Sequence, residues 1–174
     1  MKQMKNYLIL FTLSLILTAC QEPQKIGYVD NGMVINEYQE KVDIEEKYKG
    51  KEESFQRRRD SLVGAYNLEL EEARIKSQNM SQANLQKLSQ ELQQKEALLG
   101  QKLQFEQQQI QQAYSAEIDS VITKVRDFVK DYGKKNGYTY ILGTSDASSS
   151  VMYGTNENDL SQIILDALNA SYKN

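Results

Sequence analysis

The stretch that decides the fold is "LSQELQQKEALLGQKLQFEQQQIQQAYSAEIDSVITKVRDFVKDY", residues 88–132. Large apolar side chains recur in it every eleven positions, in two rows that lie four residues apart. On a helix the two rows merge into one narrow apolar stripe. Because eleven residues complete three turns, we expect a nearly straight or slightly right-handed coil. The rows are Leu88, Leu99, Ile110, Val121 and Tyr132, and Leu92, Leu103, Tyr114 and Val125.

The preceding residues supply a weaker partner for this helix. Ile44, Phe55 and Tyr66 are again eleven apart, but residues 49–61 contain only one large apolar side chain. Between the two periodic segments, "KSQNMSQANL" at 76–85 is rich in turn and capping residues, and Ser81 can N-cap the second helix. The pattern therefore predicts an antiparallel helical hairpin over 34–133 with its turn near 77–81.

The two ends of the chain predict a small β body. Short strand candidates are "KIGYV" at 25–29, "YTYIL" at 138–142 and "SVMY" at 150–153, and Asp30 is suited to cap the helix after the first strand. A terminal helix is expected to bury one face. A body of this size has a marginal core alone, so we expect oligomerisation. The predicted face consists of Leu160, Ile163, Ile164, Ala167 and Leu168.

These segments define an α+β architecture. A long antiparallel coiled-coil hairpin projects from a small β body that is formed by 25–33 and 134–174, includes the terminal helix and is expected to be completed by oligomerisation.

The first nineteen residues are typical of an export signal, because Lys2 and Lys5 precede an apolar run that ends in small residues. The sequence Leu-Thr-Ala-Cys at 17–20 resembles the lipobox of bacterial lipoproteins, in which the cysteine is acylated. We therefore predict a signal peptide at 1–19, a lipid anchor on Cys20 and a tether at 20–24. The alternative is an ordinary cleaved signal followed by a chance cysteine.

Charge and composition exclude several function classes. Without Lys2 and Lys5 the chain has 19 basic and 24 acidic residues, so nonspecific nucleic-acid binding is not expected. The basic run Arg57–Arg59 is read as a solvated helix face. The sequence contains no histidine, which removes the common Ser/His and zinc arrangements, and "GKKNG" at 133–137 lacks P-loop spacing. We expect no enzyme activity, no cofactor and no metal.

Both ends of the mature chain carry a family resemblance. "KIGYVDNGMVINEYQE" is similar to the opening of the Skp/OmpH family of periplasmic chaperones, and "NGYTYILGTSDASSSVMYGTNENDLSQIILDALN" is similar to that family's ending. With the hairpin between them, the resemblance covers nearly the whole mature chain. Two features depart from the best-known family members, which are soluble and basic, whereas this chain is acidic and carries a lipobox.

The resemblance implies a homotrimer with three helical arms around a cavity that holds unfolded outer-membrane β-barrel proteins without ATP. The protein would then lie in the periplasm, lipid-anchored to the cell envelope, with the outer membrane favoured over the inner. The competing hypothesis is a membrane-tethered coiled-coil spacer or adaptor protein that has no unfolded client. The residues expected to build the trimer are Ile26, Tyr28, Tyr140, Ile141, Val151 and Ile163.

Client contacts are expected to be weak and spread along the arms, because unfolded chains of different sequence need adaptable contacts. Leu98 and Phe105 lie off the eleven-residue stripe, so packing within the hairpin does not obviously need them. The other three candidates have packing within the hairpin core as an equal alternative. The five candidates are Phe55, Leu62, Tyr66, Leu98 and Phe105.

Overall fold

The computed structural model describes residues 24–145 and 150–173 of the chain. In these ranges two strands and four helices follow one another, with a 3₁₀ turn at Asn156–Asn158 before the last helix. The predicted signal peptide, Cys20 and most of the predicted tether lie outside the described residues. The elements are β1 Ile26–Asp30, α1 Asn31–Glu37, α2 Gln39–Ser77, α3 Gln82–Lys135, β2 Tyr140–Thr144 and α4 Ser161–Tyr172.

The two strands form a parallel pair in which Ile26 lies opposite Tyr140 and Asp30 opposite Thr144. A parallel pair cannot be closed by a tight turn and needs a long crossover. Here the crossover is the whole helical hairpin, from α1 to α3. This connection brings β1 and β2 together and fixes the point from which the hairpin projects.

The predicted hairpin is confirmed. Helices α2 and α3 contain 39 and 54 residues and are joined by a short turn over Gln78–Ser81. The Ser81 side chain accepts a hydrogen bond from the backbone N–H of Asn84, as expected for an N-cap. At about 1.5 Å per residue, α3 is roughly 80 Å long.

The start of the arm differs from the expected continuous helix. Asp30 caps α1 by accepting from the backbone N–H of Met33 at 3.0 Å, as predicted. The helix then breaks at Tyr38, whose extended backbone separates α1 from α2. Tyr38 is buried against Tyr172 of α4, with the rings in an edge contact at 6.0 Å. Tertiary packing of this ring therefore accompanies a break that helix propensity does not indicate.

The core lies where the strands, α1, α4 and the bases of the arm helices meet. Val29, Val34, Val121 and Ile164 are all almost fully buried there. Tyr48 and Ile110 are the outermost members of this core on α2 and α3. The arm bases and the β body thus share one core.

Helix α4 is confirmed, but the predicted face is rotated. Leu160, Ile164 and Leu168 are buried as expected, whereas Ile163 is 50% exposed and Leu165 takes a core position. The reason is the orientation of α4 on β1. The backbone N–H of Leu160 donates to the Tyr28 carbonyl at 2.9 Å, which turns Leu165 inwards and Ile163 outwards.

The strand predicted at 150–153 is wrong. Ser150–Tyr153 form no ladder, and Met152 and Tyr153 are highly exposed. The neighbour of β1 on the side away from β2 is Asp159, through a single parallel bridge to Tyr28. Asp159 of the same chain thus takes the place beside β1 that a third strand would need. The described residues contain a two-stranded sheet and not the expected three-stranded one.

Candidate functional site

The arm helices are held in register by a ladder of ion pairs between them. Lys47 pairs with Glu117, Arg58 with Glu106, and Glu69 with Lys95. Successive pairs are eleven residues apart on both helices, so the charges repeat with the same period as the apolar stripe. Lys124 and Glu40 add a further pair at the base of the arm. The ladder fixes which residues of α2 and α3 face each other.

The innermost pair of the eleven-residue ladder is part of a polar cluster at the edge of the core. The ammonium of Lys47 donates to Glu117 Oε1 at 2.6 Å, and the Tyr48 hydroxyl donates to the same oxygen at 2.8 Å. The Lys47 bond, followed by the Tyr48 bond, lowers the pKa of the Glu117 carboxyl. The same Lys47–Glu117 bond raises the pKa of Lys47. These bonds mark the boundary between the tightly packed base and the outer arm.

Beyond this cluster the seam between the helices is thinly packed. On the arm from residue 49 to 109, only Phe55 and Ala73 are buried. Phe55 is 2% exposed, so in this conformation it belongs to the interior of the hairpin and is unavailable to a partner. Leu62 is partly buried, and the Tyr66 hydroxyl donates across the hairpin to the Leu92 carbonyl at 3.1 Å. The alternative interpretation, hairpin packing, therefore fits Phe55 and Tyr66.

The other two client candidates stand on an open helix face. Leu98 and Phe105 are 66% and 61% exposed. Residues spaced three, four and seven apart share one side of a helix, and the positions that alternate with these two are exposed glutamines. The resulting surface consists mainly of apolar and amide groups, with Lys102 as a charge on the same side of the helix, and we call it the amide face. Its members are Gln94, Leu98, Gln101, Phe105, Gln108 and Gln112.

The residues expected to build a trimer are all part of the β body. Ile26, Tyr140 and Ile163 are exposed, whereas Tyr28, Ile141 and Val151 are partly buried. Large exposed apolar side chains concentrated on a small body are typical of surfaces that bind another protein. The described residues of one chain therefore leave these three side chains without a cover.

The described residues contain no cluster of side chains suited to hold a metal ion. Within the same ranges, no helix has the length and apolar content needed to cross a bilayer. The basic run Arg57–Arg59 is exposed, as predicted, with Arg58 facing Glu106 on the opposite helix. What the arm offers is an extended surface and not a reactive pocket.

Comparison with known proteins supports the same view of the molecule. Residues 25–168 match the family described as "Outer membrane protein (OmpH-like)". The chain belongs to this OmpH-like family. The match spans both strands, the hairpin and most of α4, so the family assignment covers the β body and the arms together.

Two relatives illustrate the family assignment. The chain is 26% identical over 165 residues to "Chaperone protein Skp" of Vibrio cholerae, covering 92% of this chain and 93% of that protein. It is also similar in fold to a crystal structure from Caulobacter crescentus described as an OmpH-like outer membrane chaperone. That match has a TM-score of 0.74 at 13% identity and covers 87% of this chain and 88% of the other. Since the named relatives are chaperones, the family supports the prediction of a non-enzymatic protein.

The ion-pair ladder and the Tyr38 break are features that the sequence interpretation missed. The ladder had a visible signal, because residues 47, 58 and 69 on one segment and 95, 106 and 117 on the other carry opposite charges at a spacing of eleven. Tyr38 had none, since its neighbours are compatible with a continuous helix.

Proposed function

We propose that this protein is a chaperone that binds unfolded outer-membrane β-barrel proteins in the periplasm without ATP, between the helical arms of a homotrimer. The observation that carries the proposal is the amide face, on which Leu98 and Phe105 are exposed although the apolar stripe is turned towards the other helix. The chaperone names of the relatives support the same role.

The chemistry of the amide face suits unfolded chains. Leu98 and Phe105 can bury apolar side chains of a client, and glutamine amides can both donate to and accept from exposed backbone groups. None of the six residues is charged, so contact with a client does not require burying an ion. Lys102 is the adjacent charge on the helix. The thin seam of the outer arm supports compliance around clients of different shape.

The proposed trimer rests on the exposed apolar residues of the β body. Ile163 is a better position than Ile141 for testing the trimer, because Ile163 is exposed whereas Ile141 also packs against the core of its own chain. A charged Ile163→Asp variant should dissociate the trimer without emptying the core. Sedimentation of residues 21–174, which contain every described element, should give threefold mass for the parent and less for the variant.

A register-matched shortening of the arms tests the chaperone function. The ladder pairs residue 58 with 106 and 69 with 95, so Ala65 lies opposite Leu99. Removing residues 66–98 and joining Ala65 to Leu99 through a short turn should preserve the Lys47–Glu117 and Arg58–Glu106 pairs. We expect the shortened protein to keep its sedimentation and lose its ability to suppress aggregation of a denatured β-barrel protein, measured by light scattering.

Point variants test whether clients bind to the amide face. Leu98→Gln with Phe105→Gln should weaken protection, because it removes the apolar groups and leaves a helix-compatible amide. Leu68→Gln with Ile75→Gln changes two exposed apolar residues of α2 in the same way and is the matched control. Full protection by the shortened protein would refute the arm mechanism and favour the spacer or adaptor hypothesis. Equal losses in both double variants would assign binding to arm hydrophobicity in general.

Cys20 is proposed to carry the lipid anchor and lies outside the described residues. Changing Cys20 to Ser should release the exported protein from the membrane fraction. Protection of an unfolded client by residues 21–174 should be unchanged, since the proposed client surface is on the arms. Loss of protection in this unlipidated protein would show that the lipid does more than localise.

A further inference from the structure

A groove of about 340 Å³ runs along the C-terminal end of α3, between the helix and β2. Three cations at four-residue spacing line its helix side, so they share one side of the helix. No acidic side chain lines the groove. We call it the basic groove. Its polar and apolar lining consists of Arg126, Lys130 and Lys134 with Tyr138, Thr139 and Ile141, completed by Val129 and Gly133.

The three cations differ from those of the arm ladder. Lys47, Arg58 and Lys95 each bind a carboxylate of the opposite helix, whereas Arg126, Lys130 and Lys134 make no ion pair within residues 24–145 and 150–173. Two acidic residues, Asp127 and Asp131, lie on the same turns of α3 but outside the groove. In a chain of net negative charge, the basic groove is a local positive surface that the protein does not neutralise itself.

The groove lies beside the point at which the N-terminal segment enters the fold. The Lys25 carbonyl accepts from the backbone N–H of Thr139 at 2.8 Å, and the Lys25 ammonium donates to the Asn136 carbonyl at 3.0 Å. Four residues separate Cys20 from Lys25. An extended chain spans at most about 3.6 Å per residue, so a lipid on Cys20 would hold this end of the molecule within roughly 20 Å of the bilayer.

We propose that the basic groove lies against the anionic phosphate headgroups of the membrane that carries the protein. The inference rests on the proposed anchor at Cys20, and two observations support it: the unpaired cations and the short distance to the tether. Cations near an anionic lipid surface each strengthen binding by about fivefold, and Lys and Arg stems pack on apolar material while their heads reach phosphate.

The contact would orient the arms. Helix α3 begins at the tip of the hairpin and ends at the groove, so a groove on the bilayer places the tip up to roughly 80 Å from the groove. A lipid on a short tether limits distance but not direction. The groove adds a second point of contact, which would limit the directions that the arms can take relative to the membrane.

Vesicle binding of the unlipidated chain, residues 21–174, tests the groove apart from the anchor. The probes are vesicles of phosphatidylcholine with and without phosphatidylglycerol, and the readout is co-sedimentation. The parent should bind the anionic vesicles and not the neutral ones, and added salt should release it. Arg126→Gln/Lys130→Gln/Lys134→Gln should weaken binding by about tenfold or more.

The matched control is Lys49→Gln/Arg57→Gln/Lys102→Gln, which removes three exposed arm cations that also make no ion pair among the described residues. It should bind like the parent. The variant Lys130→Arg/Lys134→Arg keeps the charge and should retain binding, which separates charge from any disturbance of folding. Thermal unfolding and sedimentation of all variants should match the parent.

Four results would overturn the proposal. The first is no preference of the parent for anionic vesicles, and the second is an equal loss in the arm control. The third is a change of oligomeric state in the groove variant, which would make the groove an interface between copies of this chain. Full competition by inorganic phosphate at constant ionic strength would likewise assign it to a small soluble anion. The client assay with denatured β-barrel protein is run separately on the parent protein, so failure of this proposal can be distinguished from failure of the proposed chaperone function.

Discussion

The β body and the outer arm of this protein are stabilised in different ways. In the body, side chains from both strands and all four helices share a core that reaches Tyr48 and Ile110. In the outer arm, residues 49–109, two side chains are buried, the apolar stripe is only partly buried, and two exposed ion pairs join the helices. Exposed ion pairs contribute little to stability. We therefore expect the body to contribute most of the stability and the outer arm to contribute little.

The largest effect on the free energy of unfolding is expected when a buried isoleucine of the body is compared with an exposed isoleucine of the arm. Ile164 is 0% exposed, so Ile164→Ala should lower the free energy of unfolding by about 2–5 kcal/mol through lost burial and a residual cavity. Ile75→Ala, on the exposed surface of α2 near the hairpin turn, should change it by less than about 0.5 kcal/mol. Urea unfolding at one fixed protein concentration measures both. Similar losses would show that the arm is as tightly packed as the body.

A second comparison uses glycine. A Cβ on Gly27 of β1 would lie 2.6 Å from Leu160 Cδ1 and 3.1 Å from Tyr138 Cε1, so Gly27→Ala should destabilise the fold by about 1–3 kcal/mol. A Cβ on Gly50 of α2 meets nothing within 4 Å, and Gly50→Ala should stabilise the arm by about 0.5–1 kcal/mol. Thermal unfolding should show shifts of opposite sign, and shifts of the same sign would contradict the comparison.

A hydrogen bond between α4 and the base of the arm should make a smaller contribution to stability. The Asn169 side-chain oxygen accepts from the backbone N–H of Gln39 at 2.8 Å, directly after the Tyr38 break. Asn169→Ala leaves that N–H without its partner, at a cost of about 1–2 kcal/mol. Hydrogen exchange at Gln39 should accelerate. Gln162→Ala on the exposed side of α4 is the control. If exchange at Gln39 accelerated equally in this variant, the effect could not be assigned to the hydrogen bond from Gln39 to Asn169.

The smallest expected effect is at Glu117. The pKa of Glu117 is lowered in the folded protein, so its carboxylate stabilises the fold above the ordinary glutamate pKa of about 4.3, and this stabilisation is lost as the pH falls through the lower folded pKa. Glu117→Gln should therefore be slightly less stable than the parent at neutral pH, with the difference disappearing under acid. Glu46→Gln removes the same charge at an exposed carboxylate that makes no ion pair among the described residues, and it is the matched control for the loss of one negative charge. A pH-independent deficit in Glu117→Gln would contradict the electrostatic cause.

The repeat in residues 88–132 was sufficient to predict the main element of the fold. Its eleven-residue period identified the stripe whose members, from Leu88 to Tyr132, are all buried or partly buried, and Ser81 marked the start of the second helix. The exposure of Leu98 and Phe105 followed from the same period, because both lie off the stripe. Periodicity is reliable here because a long helix presents each residue at a fixed angle.

The wrong predictions concern positions whose structure depends on contacts between distant segments of the chain. The segment at 150–153 has strand character, yet the edge of β1 away from β2 is bridged by Asp159. Ile163 and Leu165 exchange their expected roles because hydrogen bonds at the start of α4 set its rotation on β1. The four-residue spacing of Arg126, Lys130 and Lys134 is visible in the sequence, but their position beside β2 depends on how the chain turns after Lys135.

The hairpin, its turn, the apolar stripe and the exposure of Leu98 and Phe105 could be predicted from the sequence, since all of these depend on local spacing along a helix. The tertiary structure alone decided the parallel pairing of β1 with β2, the break at Tyr38 and the place where Lys25 meets the end of α3. These features depend on contacts between residues more than a hundred positions apart or on one ring packing against another helix. Such contacts leave no periodic trace in the chain.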